Sequence, residues 1–199
     1  MGARAATWLA WSVWALCVAL IALTGLLDHL APHDPRPEWS PAALFFGEAV
    51  VFQALWLPYP TVGAVIASRR PANPVGWLFC FAGLLFIVPR FATAYADYSV
   101  YESHDRLPGT LLMATVSDKS DVTLLGLLLV LTLLPLVYPD GRLLSREWRF
   151  VAWGAVIGCA ATALLVVSEP GPLHGYPSID NPFGIEVHWG ITVTVGMVG

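Results

Sequence analysis

Residues 75–96 read VGWLFCFAGLLFIVPRFATAYA, and this stretch decides the fold because only one of its residues, Arg90, is charged. An apolar run of about 20 residues is long enough to cross the hydrocarbon core of a bilayer as a helix. Backbone N–H and C=O groups find no water partners in lipid, so a spanning run without strand-like alternation must be helical. The stretch is therefore predicted to be a membrane-spanning helix.

The same pattern recurs along the whole chain. Hydrophobic residues make up 57% of the sequence and charged residues only 12%, whereas soluble domains carry about 25% charged residues. The sequence therefore predicts an all-α, polytopic helix bundle that forms one membrane region over residues 1–199, with the lipid bilayer as its first partner. We expect five complete spans and a truncated sixth, covering residues 6–27, 42–67, 75–96, 122–138, 150–168 and 187–199.

The basic residues predict the orientation of this bundle. Short cytoplasmic loops collect Arg and Lys, and six basic residues fall on the side that holds the N-terminus: Arg4, Arg69, Arg70, Arg142, Arg146 and Arg149. The opposite side holds four basic residues, together with most of the acidic ones: Arg36, Arg90, Arg106 and Lys119. The N-terminus is predicted to lie in the cytoplasm, which makes residues 68–74 and 139–149 inner loops.

Two charged side chains fall inside predicted spans. Ionisable groups within a membrane are rare and are functional candidates by default. Glu48 in the second run and Arg90 in the third lie at similar depth below the outer face. The sequence suggests that they form an intramembrane ion pair, which would offset much of their desolvation cost. The alternatives are that each side chain reaches separately to the interface, or that the two line a transport pathway.

All five histidines map to the outer side. His29 and His33 stand four residues apart between carboxylates, in the run DHLAPHD. Two histidines at this spacing on a helix can share a metal ion, and histidine titrates near neutral pH. Pro32 argues against a regular helix here. Metal or proton sensing by His29 and His33 is one interpretation, and ordinary polar loop residues are the other.

Aromatic residues mark two further places. The outer segment 97–121 is predicted to be a loop, with Tyr95, Tyr98 and Tyr101 near its start. These tyrosines could frame a ligand pocket under the loop or anchor it at the lipid headgroups. Trp56 lies well inside the second run, away from either interface, and is expected to pack between helices.

The sequence contains no recognisable catalytic motif. It lacks the phosphate-binding glycine loop, the HExxH zinc motif, the GxSxG nucleophile motif and the dinucleotide fingerprint. One Lys and nine Arg form no basic tract of the kind that binds nucleic acid. No cofactor is therefore expected in this chain and no nucleic-acid partner, and any enzymatic activity would belong to a longer parent protein.

The predicted inner loops contain the most specific sequence motifs of the chain. In residues 68–78, SRRPANPVGWL, Arg69 and Arg70 suit the anionic inner leaflet, and Asn73 is placed to cap a helix that begins at Pro74. In residues 138–149, YPDGRLLSREWR, the Pro-Asp-Gly run is a turn sequence. Physical chemistry alone explains these loops as features that set the topology.

These motifs also carry a resemblance. RRPANPVGWLF, YPDGRLLSREWR and the later Asn181-Pro182-Phe183-Gly184-Ile185 resemble the N-terminal membrane input region of bacterial two-component sensor histidine kinases. That region carries NPxGW, FPDGR and NP(F/L)GI landmarks in the same order. The matching inner-loop residues here are Arg69, Arg70, Asn73, Pro74, Gly76, Trp77, Pro139, Asp140, Gly141 and Arg142. Tyr138 stands where Phe is more familiar in that family.

The resemblance implies a sensory function in the bacterial plasma membrane. Cytoplasmic dimerisation and ATP-binding domains follow such regions in the family, so we expect a homodimer and a response-regulator partner, both through a part that would follow Gly199. The chain itself has no phosphoacceptor segment, since all its histidines lie on the outer side. The rival interpretations are a free-standing membrane protein, as a transporter component or scaffold, and the input region of a nucleotide cyclase.

Overall fold

All the regular elements in the part that the structure describes are helices. The computed structural model describes residues 3–30, 53–103, 106–138, 141–143 and 145–185. Within these ranges the helices are α1 (Ala3–Leu30), α2 (Pro58–Arg69), α3 (Pro74–Asp97), α4 (Thr110–Asp118), α5 (Val122–Val137) and α6 (Trp148–Val167). A π-helical turn, Tyr98–Glu102, continues α3.

Three of these helices are long and apolar enough to cross a membrane. They are α1, α3 with its π-helical continuation, and α6. A fourth candidate span arises if α4 and α5 are taken together, since the pair is also long and apolar enough. The two helices are bent by 62° at their junction. The observed class, over the described residues, is therefore an all-helical chain with three or four candidate membrane spans, whereas the finer expectation of five complete spans is not confirmed. Residues 187–199, the expected sixth span, lie outside the described residues.

The second predicted run is interrupted. Residues 53 and 54 are helical, residues 55–57 form a turn, and α2 begins only at Pro58. Proline lacks a backbone N–H and suits the first turn of a helix rather than its interior. Pro58 and Pro60 therefore start a new helix instead of kinking a continuous one. Residues 42–52 of the run lie outside the described residues.

The fourth predicted run forms a helix that is too short to cross a bilayer alone. α5 has 16 residues, fewer than a bilayer needs. The sequence predicts a loop over residues 97–121, but α4 occupies Thr110–Asp118 within it. The apolar segment TLLMATV is short and is followed by Asp118, Lys119 and Asp121, so composition alone suggests a loop. In the structure it is helical and packs on α3, where Ala114 and Ala96 are buried in one cluster.

The closest helix pair is the hairpin of α2 and α3. A Cβ atom added to Gly63 would lie 2.6 Å from the backbone N of Cys80, and one added to Gly76 would lie 2.7 Å from the backbone N of Ala67. Small residues allow helices in lipid to approach until their backbones touch. α1 packs across this hairpin, where Ala10, Ala64 and Ala67 are buried together.

The apolar surface of the bundle faces outward. α6 has no buried residue, and Phe150, Leu164 and Leu165 on it are 82%, 70% and 72% exposed. A soluble domain rarely leaves so continuous an apolar face uncovered, but lipid tails cover it at no cost. This surface agrees with the composition and supports insertion in a membrane.

Candidate functional site

The two predicted inner loops contact each other through residues of the sequence motifs: Gly141 lies against Asn73 and Pro74. Asn73 caps α3 as predicted: its side-chain oxygen accepts a hydrogen bond from the backbone N–H of Val75 at 3.0 Å. A Cβ added to Gly141 would lie 2.7 Å from Asn73 Oδ1 and 2.7 Å from Pro74 Cδ. We call Asn73, Pro74 and Gly141 the inner joint.

The conformation of the inner joint depends on Gly141. Its φ of +73° lies in the left-handed region that favours glycine, and its N–H donates to the carbonyl of Val137 at 2.7 Å, which closes the end of α5. Between the α2–α3 loop and the first turn of α3, the indole N–H of Trp77 donates to the Pro71 carbonyl at 3.1 Å. Thus Gly141 of the PDGR motif packs on Asn73 and Pro74 of the NPVGW motif.

The other motif residues of these loops lie around the inner joint. Gly76 is buried in the α2–α3 contact, whereas Arg69, Arg70 and Arg142 are exposed. Exposed guanidinium groups here fit the predicted contact with anionic headgroups. Pro139 and Asp140 lie outside the described residues.

Replacing Gly141 with Ala is expected to disrupt the inner joint. The left-handed backbone costs about 1–2 kcal/mol for a residue with a Cβ, and the collision with Asn73 and Pro74 adds about 1–3 kcal/mol. Gly109→Ala is the matched control, because Gly109 has a φ of +84° but no atom within 4 Å of an added Cβ. Thermal unfolding in detergent measures both, and equal losses of stability would contradict the contact.

Arg90 forms an ion pair, but with a residue that the sequence did not suggest. Its Nη2 lies 2.7 Å from Asp28 Oδ2 near the end of α1. Both side chains are largely withdrawn from solvent, at 12% exposure for Arg90 and 31% for Asp28. Glu48, the partner suggested by the sequence, lies outside the described residues. The sequence did not identify Asp28 as a partner of Arg90, because Asp28 follows the apolar run and resembles an ordinary loop residue.

The end of the bundle that the sequence predicts to be outer is covered by a folded segment, residues 168–185, which we call the outer cap. Leu173, Tyr176 and Ile179 are buried, and they pack against Ala96 of α3 and Ala114 of α4. The phenol of Tyr176 donates to Asp97 Oδ1 at 2.7 Å. Burial, followed by the Asp97 carboxylate, raises the pKa of Tyr176. This favours the neutral phenol, so its contribution to stability is complete below pH 10 and is lost only as the pH rises through the higher folded-state pKa.

Asn181 of the third motif connects the outer cap to the end of α6. The Asn181 amide nitrogen donates to the carbonyls of Val167 and Glu169, both at 2.8 Å, and its oxygen accepts from the N–H of Phe183 at 3.1 Å. Asn181 thereby satisfies the carbonyl of Val167 at the end of α6, where carbonyls lack helical partners. Like Asn73, it accepts a hydrogen bond from the residue two positions later, so both Asn-Pro motifs form the same local turn.

Replacing Asn181 with Ala is expected to loosen the outer cap. The change removes three hydrogen bonds, each of which contributes about 1 kcal/mol. We expect the amides of Leu173 and Ile185, which bond to Ile179 and Ser168 within the cap, to exchange hydrogen at least tenfold faster. Asp180→Ala is the control, since Asp180 is the exposed neighbour. Hydrogen exchange followed by mass spectrometry tests this, and unchanged rates in N181A would contradict the role.

A charged cluster joins the outer cap to the bend between α4 and α5. Lys119 Nζ lies 3.0 Å from Glu169 Oε2 and 3.4 Å from Asp118 Oδ2. Asp118 Oδ1 accepts from the N–H of Gly175 at 2.8 Å. Beside this cluster lies a cavity of about 350 Å³, which Asp97, Tyr101, Asp118, His174 and Tyr176 help to line. A pocket beneath the tyrosine-rich segment was one of the two interpretations of the sequence.

The two histidines that the structure describes, His29 and His174, belong to no candidate metal site among the described residues. His29 lies in the last turn of α1, and His33 lies outside the described residues. His174 is mostly exposed, with Nδ1 3.7 Å from Asp118 Oδ2. Among residues 3–30, 53–103, 106–138, 141–143 and 145–185, no group of three or more His, Cys, Asp or Glu side chains could hold a metal ion.

Sequence reasoning missed the polar residues that pair across helices. Asp28, Asp97, Asp118, Lys119 and Glu169 all stand at run boundaries, where charged residues are common. Only the tertiary structure brings them to their partners.

Comparison of the chain with protein-family models, with curated proteins and with solved structures gives no match.

Proposed function

We propose that this chain is the multi-pass membrane input region of a bacterial two-component sensor histidine kinase, located in the plasma membrane. Support comes from residues of the three motifs that carry the resemblance. Asn73, Pro74 and Gly141 form the inner joint, and Asn181 connects the outer cap to the end of α6. The contact between Gly141 and the Asn73–Pro74 pair is the observation that carries the proposal, since it unites two motifs that are separate in the sequence.

A route for signal transmission is part of the proposal. α3 contacts α1, α2, α4 and α5. It bears Asp97 under the outer cap, the Arg90–Asp28 pair below it, and the Asn73 cap at its inner end. A stimulus that shifts the outer end of such a helix also shifts the inner joint, because packed helices move as rigid elements rather than deform continuously. The proposed output is a kinase on the cytoplasmic side.

The partners follow from the same proposal. In the predicted topology, the kinase portion of a longer parent protein would lie in the cytoplasm, where it would dimerise and meet its response regulator. Phosphorylation would take place there and not in this chain. The nucleotide-cyclase alternative uses the same input arrangement with another output.

The proposal is tested on the complete gene product in inverted membrane vesicles. With labelled ATP, we expect an acid-labile, alkali-stable phosphate, as phosphohistidine gives. We also expect Gly141→Ala to change the rate of labelling and Gly109→Ala to leave it unchanged. A reading frame that stops at Gly199, synthesis of a cyclic nucleotide, or solute flux in proteoliposomes without ATP-dependent labelling would each overturn it.

A further inference from the structure

A cavity of about 330 Å³ lies between α3, the start of α5 and the turn that precedes α2. This volume is within the range of small-molecule sites. One wall is aromatic: Trp56 stacks on Phe86 with ring centroids 3.5 Å apart and planes 8° from parallel. Leu124 at its edge is 59% exposed on the apolar surface, so the cavity can be reached from the lipid.

Two polar side chains in this cavity have buried atoms that lack hydrogen-bond partners within the described part of the chain. Gln53 is 1% exposed, and neither its amide nitrogen nor its oxygen is hydrogen bonded. Arg90 uses Nη2 for Asp28 but leaves Nε and Nη1 buried without a hydrogen-bond partner. Buried polar groups without partners are rare because their desolvation is not repaid. A ligand that hydrogen bonds to them would explain their presence.

The charge balance defines the kind of ligand. Asp28 already neutralises the Arg90 guanidinium, so a bound anion would add an uncompensated charge in a low-dielectric region. The free groups are mainly N–H donors, from Arg90 and from the Gln53 amide, which suit the oxygen of a carbonyl group. The stacked Trp56 and Phe86 suit a flat ring beside it.

We infer that this cavity is an intramembrane binding site for a neutral, lipophilic, ring-bearing carbonyl compound. Gln53 and Arg90 donate hydrogen bonds to its carbonyl oxygens, and the Trp56–Phe86 wall contacts its ring. The site does not depend on the proposed signalling function. If both hold, its occupant is a candidate stimulus, because Arg90 lies on α3.

The test uses two probes of nearly the same size and shape. Tetramethyl-1,4-benzoquinone carries two ring carbonyls, and 1,2,4,5-tetramethylbenzene carries none. Binding is measured on the purified chain in nanodiscs of neutral lipid, after subtraction of partition into empty nanodiscs. We expect one quinone per chain to be held at least tenfold more tightly than the hydrocarbon, with quenching of tryptophan fluorescence that is reduced in Trp56→Phe.

Variants separate the site from the fold. Gln53→Leu is expected to weaken quinone binding about fivefold, the equivalent of one lost hydrogen bond, while raising the melting temperature because a buried unpaired amide is removed. Arg90→Lys keeps a positive charge for Asp28 but removes Nε and Nη1, and should weaken binding similarly. Thr132→Val is the control, since Thr132 lies on α5 with its hydroxyl bonded to Leu128.

Three outcomes would overturn the inference. Equal affinity for the two probes would show that the carbonyl groups are not recognised, and a quinone affinity unchanged in both Gln53→Leu and Arg90→Lys would place the binding elsewhere. A lipid that stays with the purified chain in stoichiometric amount and blocks the quinone would identify a different class of occupant. Because no ATP is involved, failure here leaves the kinase assay unaffected.

Discussion

Replacing Asp28 with Asn is expected to lower the free energy of unfolding by about 3 kcal/mol, because it leaves the Arg90 guanidinium without a counter-charge. The two groups are 2.7 Å apart, and Arg90 is only 12% exposed. Removing one member of a buried ion pair typically costs 3–5 kcal/mol, and the 31% exposure of Asp28 puts the value at the lower end. Reversible unfolding in mixed detergent micelles measures it.

Two further variants show whether the loss belongs to the pair. Glu147→Gln removes an exposed carboxylate that precedes α6 and should change stability by less than about 0.5 kcal/mol. The double variant Asp28→Asn, Arg90→Gln removes both charges and should recover most of the loss. A double variant as unstable as the sum of the two single ones would show that Asp28 and Arg90 do not interact.

Replacing Gly63 with Ala is expected to cost about 1–3 kcal/mol by forcing α2 away from α3. The new methyl group would lie 2.6 Å from the backbone N of Cys80 and 2.7 Å from the carbonyl oxygen of Gly76. Backbone atoms cannot rotate aside as a side chain can, so the helices must separate, and overpacking of this kind destabilises. Thermal unfolding of the purified variant tests the expectation.

The matched control is Gly154→Ala on α6. Gly154 has no atom within 4 Å of an added Cβ, and alanine is favoured over glycine by about 1 kcal/mol in a helix interior. This variant should therefore be neutral or slightly stabilising. If Gly63→Ala and Gly154→Ala behaved alike, the close approach of α2 and α3 would be refuted.

Long apolar runs made the helices predictable from sequence. α1, α3 and α6 coincide with predicted spans because about 20 apolar residues in lipid have no other way to satisfy their backbone. The cap at Asn73 was equally visible, since Asn before Pro is a local signal that needs no tertiary information. The packing of Trp56 between helices is confirmed by its stacking on Phe86.

Two predictions about the helices failed. The segment that forms α4 is too short and too polar at its end to be recognised as a helix, and it is held by packing on α3. Residues 42–67 were predicted to be one span, but Pro58 and Pro60 begin a new helix within it. This second difference has a local cause, because proline lacks a backbone N–H and suits the first turn of a helix.

The sequence by itself determined that this protein has helices long and apolar enough to span a membrane, where several of them begin and end, and which motifs mark the turns. The tertiary structure decided which polar groups meet: Arg90 with Asp28, Gly141 with Asn73, and Asn181 with the end of α6. The physical reason is the range of the forces. Hydrophobicity and capping act within a few residues along the chain, whereas ion pairs and close packing join residues that only the fold brings together.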